Sequence, residues 1–210
     1  PNTLWGYGYR EGVEGMIGAT PEQLFTVEDG VLSTMALAGT APRHEVADFP
    51  SDPKEIREHE LVADYLEDLL SPFGVVERDE RSLLDLGSIV HFITRLKVVL
   101  DDGQGDLNEL MRRLHPTPAL GACPRGEGAL RQLVDYRERL GVPDDFGAPF
   151  GALHQGFFQG LVAIRNVSWI GRAVALPSGV GLVEGSRFDR EWRELALKRN
   201  SVKSLSLIHI

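Results

Sequence analysis

The apolar residues of this chain change their spacing at Asp52-Pro53, and this change constrains the fold more than any other feature. Before it, residues 4–25 are rich in glycine and aromatic side chains, which favours short strands and turns because glycine is costly inside helices. After it, apolar residues recur every three or four positions as far as Ser71-Pro72. This periodicity predicts an amphipathic helix that begins at the Asp-Pro pair.

The remaining segments alternate irregularly between the two patterns. Asp29-Gly30 stands between two short apolar-rich segments, 27–28 and 31–32, which is a good hairpin signal, and residues 33–40 are the expected returning strand. Further strands are predicted at 75–76, 89–100, 146–151, 160–167 and 172–183, and further helices at 106–114, 128–140 and 187–204. This order predicts an α+β fold with antiparallel sheets and packed helices.

Composition narrows the class of protein and its partners. The 210 residues suit one domain, and 42% hydrophobic and 25% charged residues exclude dominant disorder. No apolar run approaches the roughly 20 residues of a membrane-spanning helix, so we expect a soluble protein without a membrane partner. The formal charge of -9 argues against nucleic acid as a partner. The single Cys123 excludes a disulfide framework and favours a cytoplasmic location.

The two ends of the chain depart from the pattern of an intact protein. Pro1 stands where an initiating Met is expected and no signal peptide follows, so we interpret the N-terminus as cut. Residues 205–210 break the pattern of the basic helix before them and match the translation of a sequencing-transposon end. We therefore assign residues 1–204 to the domain and 205–210 to a non-native tail. A short native apolar tail, as a final strand, is the alternative.

Two of the predicted helices each carry a pair of glutamates. Glu55 and Glu58 are three residues apart, and Glu191 and Glu194 repeat this spacing, which places each pair on one helix face. Four such carboxylates could clamp one hard divalent cation such as Mg²⁺, which prefers oxygen ligands and can bridge to an anionic ligand. The same spacing is common on solvated helix faces with basic surface partners, so spacing alone leaves both interpretations open.

Three further segments could contact a ligand. Residues 114–125 contain three prolines and one glycine, which exclude helix and leave backbone N–H groups accessible. Residues 178–183 form a second glycine-bearing segment. Arg165 follows apolar strand residues, where its guanidinium could bind a carboxylate in bidentate fashion. Each segment also has a purely structural interpretation: a rigid loop, a bend in a strand and a surface arginine.

Six motifs follow one another along the chain. They are Thr20-Pro21-Glu22, Ala36-Leu37-Ala38-Gly39-Thr40, Asp52-Pro53-Lys54-Glu55 with Glu58-His59, His115-Pro116-Thr117-Pro118-Ala119-Leu120-Gly121, Ala163-Ile164-Arg165, and Gly181-Leu182-Val183 through Gly185-Ser186 to Glu191-Trp192 and Glu194. This ordered set resembles the chorismate-binding domain of the enzymes of menaquinone, siderophore and tryptophan biosynthesis. The resemblance covers residues 15–203 but only the C-terminal part of that family's domain. The His-Pro-Thr-Pro-Ala loop is similar to that of isochorismate and salicylate synthases.

The resemblance implies an incomplete chorismate-binding domain and a Mg²⁺-dependent isomerisation of chorismate to isochorismate for menaquinone or siderophore biosynthesis. In this reaction water adds at ring C2 while the C4 hydroxyl leaves. The resemblance implies that Glu22 is the general acid, which requires a pKa raised by burial or by nearby carboxylates. It also implies that Glu58 and Glu194 bind the metal ion, with Glu55 and Glu191 beside them directly or through water.

The resemblance further implies a set of substrate contacts. They are Arg165 with the backbone at Gly179 and Gly181 for the substrate carboxylates, and Thr40, His91, Ala119, Leu120 and Phe146 around the ring. The competing interpretations are an exposed turn residue for Glu22 and a satisfied strand histidine for His91.

The chain also departs from the family pattern. Phe146 stands where many relatives have Tyr, and the lysine that activates water in the family belongs to a segment upstream of Pro1. These departures keep other readings open: a salicylate synthase, an anthranilate or aminodeoxychorismate synthase, a catalytically inactive truncated scaffold, or an unrelated metal-binding module. The sequence makes no prediction of oligomeric state.

Overall fold

The computed structural model describes residues 4–101 and 106–207 and arranges them in strands and helices that follow the predicted order. The strands are β1 (Trp5–Glu11), β2 (Glu14–Thr20), β3 (Gln23–Glu28), β4 (Val31–Pro42), β5 (Val76–Arg78), β6 (Ser82–Asp85), β7 (Ile89–Val99), β8 (Pro149–His154), β9 (Phe157–Val162), β10 (Asn166–Ile170) and β11 (Ala173–Ala175). The helices are α1 (Pro53–Leu70), α2 (Leu107–Leu114), α3 (Glu127–Arg139) and α4 (Phe188–Leu207).

The strands form two antiparallel sheets. The larger sheet has the order β5-β7-β4-β3-β9-β8, with β6 also pairing with β7, and the smaller has the order β1-β2-β10-β11. The long β4–β7 pair, which runs from Val31 opposite Val99 to Pro42 opposite Ile89, forms the middle of the larger sheet. The predicted α+β class with antiparallel sheets is confirmed.

The predicted hairpin is the connection between β3 and β4. Asp29 and Gly30 both have positive φ angles, 49° and 76°. Two successive left-handed residues match the twist of the flanking strands in a two-residue turn. The returning strand β4 extends two residues beyond the predicted Thr40, to Pro42.

Helix α1 packs on the larger sheet. Asp52 caps it, since its carboxylate accepts the N–H groups of Lys54 and Glu55 at 2.9 and 3.3 Å. The apolar face of α1 is buried in the main core through Val62, Ala63, Leu66 and Leu70. Each large side chain buried in this way stabilises the fold by about 2 kcal/mol. The helix therefore holds its first turn, which carries two of the predicted glutamates, against β4.

Several strand predictions are wrong in extent. The predicted strand 160–167 is two strands, because the chain turns at Arg165, whose φ is 58°. The predicted strand 172–183 is reduced to β11. Pro177 lacks the N–H that a ladder requires, and residues 176–183 run without regular structure.

Two other differences concern strand starts and a missed element. The strand predicted at 146–151 begins only at Pro149, so that Phe146 lies in a turn. Strand β6 carries no clear alternation of apolar and polar residues and was not predicted; its pairing with β7 alone defines it.

The end of the chain is helical beyond the predicted boundary. Helix α4 continues to Leu207, three residues past the predicted 204, while residues 208–210 of the predicted tail lie outside the described part. None of the helices in the described ranges combines the length and the apolar character needed to cross a membrane.

The cap of α1 gives a stability prediction. Replacing Asp52 by alanine leaves two N–H groups without their acceptor and should lower the free energy of unfolding by about 1 kcal/mol. Urea denaturation followed by circular dichroism measures this. Asp68→Ala is the matched control, because Asp68 is exposed in the last turn of the same helix, where a negative charge is unfavourable. A loss as large for Asp68→Ala would contradict the capping role.

Candidate functional site

The four predicted glutamates meet between α1 and α4. Glu55, Glu191 and Glu194 are only 6–8% exposed, and the side chain of Glu58 is 13% exposed. We call these four residues the carboxylate cluster. The interpretation as two solvated helix faces is therefore wrong, since surface glutamates would not be buried at the facing sides of two helices.

The ammonium group of Lys54 lies among three members of the cluster. Its Nζ is 3.1 Å from Glu55 Oε1, 2.8 Å from Glu58 Oε2 and 3.2 Å from Glu191 Oε1. Burial opposes the charge of Lys54, but the charges of Glu58 and Glu55 outweigh it and raise the pKa of Lys54 above its usual value. Lys54 thus joins α1 to α4 as a charged cross-link.

Glu58 and Glu194, the two ligands that the resemblance implies, lie in the same region. Burial raises the pKa of Glu58, the ammonium of Lys54 opposes this rise, and the charge of Glu194 adds to it. Gly181 packs directly against Glu58: a Cβ at this position would lie 2.5 Å from Glu58 Oε1. A larger residue here would push the Glu58 carboxylate out of its present position.

A bulge in β4 brings the backbone to Glu55. Gly39 has a φ of 74°, and a Cβ there would lie 2.9 Å from the carbonyl oxygen of Glu55. The next residue, Thr40, donates its N–H to Glu55 Oε2 at 2.8 Å. Burial raises the pKa of Glu55 to about 7, against the effects of Thr40 and Lys54.

Glu22 is buried at the connection between β2 and β3. Its N–H donates to Thr20 Oγ1 at 3.1 Å, and its carbonyl accepts the N–H of Val162 at 3.1 Å. The side chain belongs to a residue only 6% exposed, so Glu22 is not an exposed turn residue. Burial raises its pKa to about 7, although the charges of Arg165 and Lys198 oppose the shift.

His91 and Arg165 form a pair beside Glu22. Arg165 Nη2 donates to His91 Nε2 at 3.2 Å, and His91 Nδ1 lies 3.1 Å from the Gly39 carbonyl and 3.1 Å from Thr40 Oγ1. Because a guanidinium only donates and a carbonyl only accepts, the neutral Nδ1–H tautomer satisfies both partners. Burial, together with the charges of Arg165 and Lys198, lowers the pKa of His91 well below its usual value.

His91 is therefore a satisfied histidine that also orients Arg165. Burial lowers the pKa of Arg165 to about 10, while the charges of Glu194 and Glu22 oppose the shift. The guanidinium remains charged at neutral pH. The interpretation of Arg165 as a surface arginine is wrong.

Lys198 is a central residue that the sequence analysis missed. Its Nζ is 2.6 Å from Glu194 Oε1 and donates to the Gly179 carbonyl at 2.9 Å. Its charge also acts on Glu22 and His91. Lys198 thus links the carboxylate cluster, the general-acid candidate and the glycine loop. Its position four residues after Glu194, on the same helix face, was the signal available in the sequence.

Three of the predicted contacts of the substrate ring, Ala119, Leu120 and Phe146, lie on two loops, whereas Thr40 and His91 lie on β4 and β7. Ala119 and Leu120 pack at the margin of the main core, and Phe146 is 7% exposed. Gly179 faces the ring of Phe146, since a Cβ there would be 3.7 Å from it. The two loops are joined by His115 Nε2, which donates to the Gly147 carbonyl at 2.8 Å.

A cavity of about 460 Å³ opens beside the carboxylate cluster. Four of the predicted site residues line it: Thr40, Glu55, Glu191 and Glu194. The other predicted site residues do not line it: Glu22, Glu58, His91, Ala119, Leu120, Phe146, Arg165, Gly179 and Gly181. The cavity therefore gives access to the cluster from one side, while Glu22 and the two loops are arranged outside it.

The chemistry of the cluster fits a divalent cation. Four buried carboxylates are balanced by two ammonium groups, Lys54 and Lys198. Glu191 Oε2 is buried without a hydrogen-bond partner among the described residues. Within residues 4–101 and 106–207 no group of three or more acidic, His or Cys side chains is arranged as metal ligands. The donor set suits Mg²⁺, and Lys54 Nζ lies among three of the four carboxylates.

Comparison with known proteins gives one family. A model described as "Chorismate binding enzyme" matches residues 5–205. The chain is 32% identical over 210 residues to the salicylate biosynthesis isochorismate synthase of Pseudomonas aeruginosa, covering 94% of this chain and 43% of that protein. It is 27% identical over 215 residues to the anthranilate synthase component 1 of the same species, covering 95% and 42%.

A solved structure agrees with these sequence relatives. MenF, the menaquinone-specific isochorismate synthase from Escherichia coli, matches with a TM-score of 0.82 and 25% identity, over 96% of this chain and 48% of that one. The chain thus spans less than half the length of these three proteins.

Because burial raises the pKa of Glu22, replacing this residue by an uncharged one should stabilise the fold above neutral pH. The folded state retains the proton up to about pH 7, whereas the unfolded state releases it near 4.5, so wild-type stability falls between these two values and then levels off. Glu22→Gln removes this fall. At pH 8 it should raise the free energy of unfolding by up to about 3 kcal/mol, since one pKa unit corresponds to about 1.4 kcal/mol.

Urea denaturation at pH 4.5 and pH 8 measures this difference. The gain should appear at pH 8 and vanish at pH 4.5. Glu28→Gln is the control, because Glu28 is exposed on β3 and loses a solvated charge only. A Glu22→Gln variant that is equally stable or less stable than wild type at pH 8 would show that the carboxylate is not destabilised by burial.

Proposed function

The chain belongs to the chorismate binding enzyme family, and from this premise we propose that the protein containing it is an isochorismate synthase. The reaction converts chorismate to isochorismate: water adds at ring C2 and releases one proton to a base, and the C4 hydroxyl takes one proton and leaves as water. The product serves the synthesis of menaquinone or of a siderophore. The named relatives support this activity, and the buried Glu22 carboxyl is the structural observation that carries it.

Glu22 has the properties of a general acid at neutral pH. A carboxyl group with a pKa of about 7 holds a proton in about half of the molecules at that pH, which is close to the optimum for proton transfer. Backbone hydrogen bonds to Thr20 and Val162 fix its position. Glu22 gives its proton to the C4 hydroxyl oxygen as the C4–O bond breaks, so the group departs as neutral water.

Arg165 and Lys198 supply positive charge for the two substrate carboxylates. Both act electrostatically on Glu22 and therefore lie within reach of a substrate whose C4 hydroxyl contacts it. The neutral His91 holds Arg165 through Nε2 without adding a further charge. A guanidinium oriented in this way can bind a carboxylate through two parallel hydrogen bonds.

The loop residues surround the ring in this proposal. Ala119, Leu120 and Phe146 offer apolar surface, and Gly179 allows the backbone to approach. Apolar walls exclude water from the ring face opposite the attacking molecule, which limits side reactions. Phe146 carries no hydroxyl, so it excludes water without donating a hydrogen bond.

The carboxylate cluster would hold Mg²⁺. Glu58 and Glu194 would bind it, and Glu55 and Glu191 would bind directly or through water. When bound, the ion supplies a positive charge that binds the ring carboxylate of an anionic substrate to an acidic protein. Gly181 keeps the space beside Glu58 open on the loop side.

The proposal extends to location and leaves one rival activity. We place the reaction in the cytoplasm, since the single Cys123 is free and exposed, as is usual in a reducing compartment. The anthranilate synthase relative, at 27% identity, supports a second candidate that acts on the same substrate. The product decides between the two, and release of pyruvate would identify an anthranilate or salicylate synthase.

Replacing Glu22 tests the acid role. In the full-length protein with chorismate and Mg²⁺, wild type should form isochorismate without pyruvate, and Glu22→Gln should lower kcat by about 100- to 10,000-fold with little change in KM. Chromatography of the products and a coupled assay measure both. Glu28→Gln should retain wild-type kcat. Pyruvate together with salicylate or anthranilate as products, or an active Glu22→Gln variant, would refute the proposal.

Replacing Glu58 tests the metal site. Glu58→Gln should weaken Mg²⁺ binding at least about tenfold, since even partners of metal ligands contribute this much. Chorismate should tighten Mg²⁺ binding, and Mg²⁺ should tighten chorismate binding by the same factor. Isothermal titration calorimetry measures both. Glu67→Gln, on the same helix but outside the cluster, is the control. Metal binding that is indifferent to chorismate would favour an unrelated metal-binding module.

A further inference from the structure

We propose that Lys54 is a built-in substitute for the divalent cation: its ammonium group holds the carboxylate cluster together until the ion displaces it. This inference rests on the proposed function, because it concerns the carboxylates that would bind Mg²⁺. It adds a role for a residue that does not itself ligate the ion.

The geometry makes the ammonium and the ion competitors. Lys54 Nζ lies 2.8–3.2 Å from one oxygen each of Glu55, Glu58 and Glu191. These three contacts match the three N–H donors of an ammonium group. Mg²⁺ takes carboxylate oxygens at about 2.1 Å, so an ion that used these same oxygens would compete with the ammonium of Lys54. On our proposal the ion takes them and Lys54 leaves.

The ammonium of Lys54 leaves one buried carboxylate oxygen of the cluster without a hydrogen-bond partner. Glu191 uses Oε1 for Lys54, but its Oε2 is buried and has no hydrogen-bond partner in the described part of the chain. The residue is only 6% exposed, so bulk water does not compensate this oxygen. An octahedral ion with its bound waters offers six positions and can satisfy oxygens that three N–H donors cannot.

Charge and flexibility make the exchange feasible. Without Lys54, the cluster would hold four buried carboxylates against the single ammonium of Lys198, which like-charge repulsion would disfavour. The ammonium of Lys54 holds the two helices together. A divalent ion that replaces it brings two positive charges to the cluster in place of one. The Lys54 side chain is 12% exposed and has four rotatable bonds, so its ammonium can turn into solvent.

The experiment uses the full-length protein and MgCl₂ as the only ligand, at constant ionic strength. Lys54→Met retains the apolar stem and removes the charge. It should bind Mg²⁺ about tenfold more tightly than wild type in calorimetry, because no competitor is left. In the absence of Mg²⁺ it should have a lower Tm, and saturating Mg²⁺ should raise its Tm more than that of wild type. Lys97→Met, with an exposed lysine on β7, should behave as wild type.

A second measurement needs no variant. Acetic anhydride should acetylate Lys54 slowly in the metal-free wild-type protein, where its ammonium is ion-paired, and several-fold faster at saturating Mg²⁺. Mass spectrometry of peptides quantifies this, with exposed Lys97 as the internal reference. This arm stands even where Lys54→Met does not fold.

Each outcome bears on the proposal. Tighter Mg²⁺ binding by Lys54→Met, or faster acetylation of Lys54 with Mg²⁺, supports it. If wild type binds Mg²⁺ but Lys54→Met binds it equally or more weakly, or if acetylation of Lys54 ignores Mg²⁺, the substitute role is overturned while the metal site of the proposed function stands. If neither protein binds Mg²⁺, both are overturned.

Discussion

The structure of this site depends on keeping four like charges buried between two helices. Taking carboxylates out of water is costly unless each finds a positive partner or a hydrogen-bond donor. Here Lys54 serves three of them, the Thr40 N–H serves Glu55, and Lys198 serves Glu194. These partners belong to three elements, α1, β4 and α4. The complete cluster therefore forms only when α1, β4 and α4 have come together.

The burial that disfavours the charged forms of two glutamates also brings their pKa values close to neutral pH. Glu22 and Glu55 have pKa values raised to about 7, which means that their charged forms are disfavoured by amounts that the core must offset. Helix α1 supplies that stability through a separate apolar face, so one helix both stabilises the sheet and presents its charged first turn. In α1, the buried charges and the apolar side chains that offset their unfavourable free energy therefore lie on different parts of the same helix.

Elements with a strong local signal could be predicted from sequence, and contacts between distant segments could not. Asp29-Gly30 predicts its hairpin because the turn conformation is a property of those two residues, and Asp52-Pro53 predicts the start of α1 for the same reason. The paired glutamates predicted a shared helix face but not their burial. The sequence analysis assigned no role to Lys198 and no ion pair to Lys54 within the cluster. Only the approach of α1 to α4 brings Lys54 to Glu191, and only the packing of residues 178–183 brings the Gly179 carbonyl to Lys198. The strand predicted at 172–183 ends at Ala175. Beyond it, Pro177 has no N–H to donate to a neighbouring strand, and Gly181 packs against Glu58.

Helix α4 buries charged side chains where a helix usually buries apolar ones. Among the α4 side chains that the structure describes, the buried ones are Glu191, Glu194 and Val202, whereas Phe188 and Trp192 are 81% and 58% exposed. The four apolar clusters of the described residues contain no α4 side chain. An amphipathic helix usually docks by its apolar face, whereas this one buries two glutamates along with Val202. Lys54 of α1 reaches Glu191 of α4, so on the proposal above an ion bound by glutamates of both helices would also hold α4 against α1.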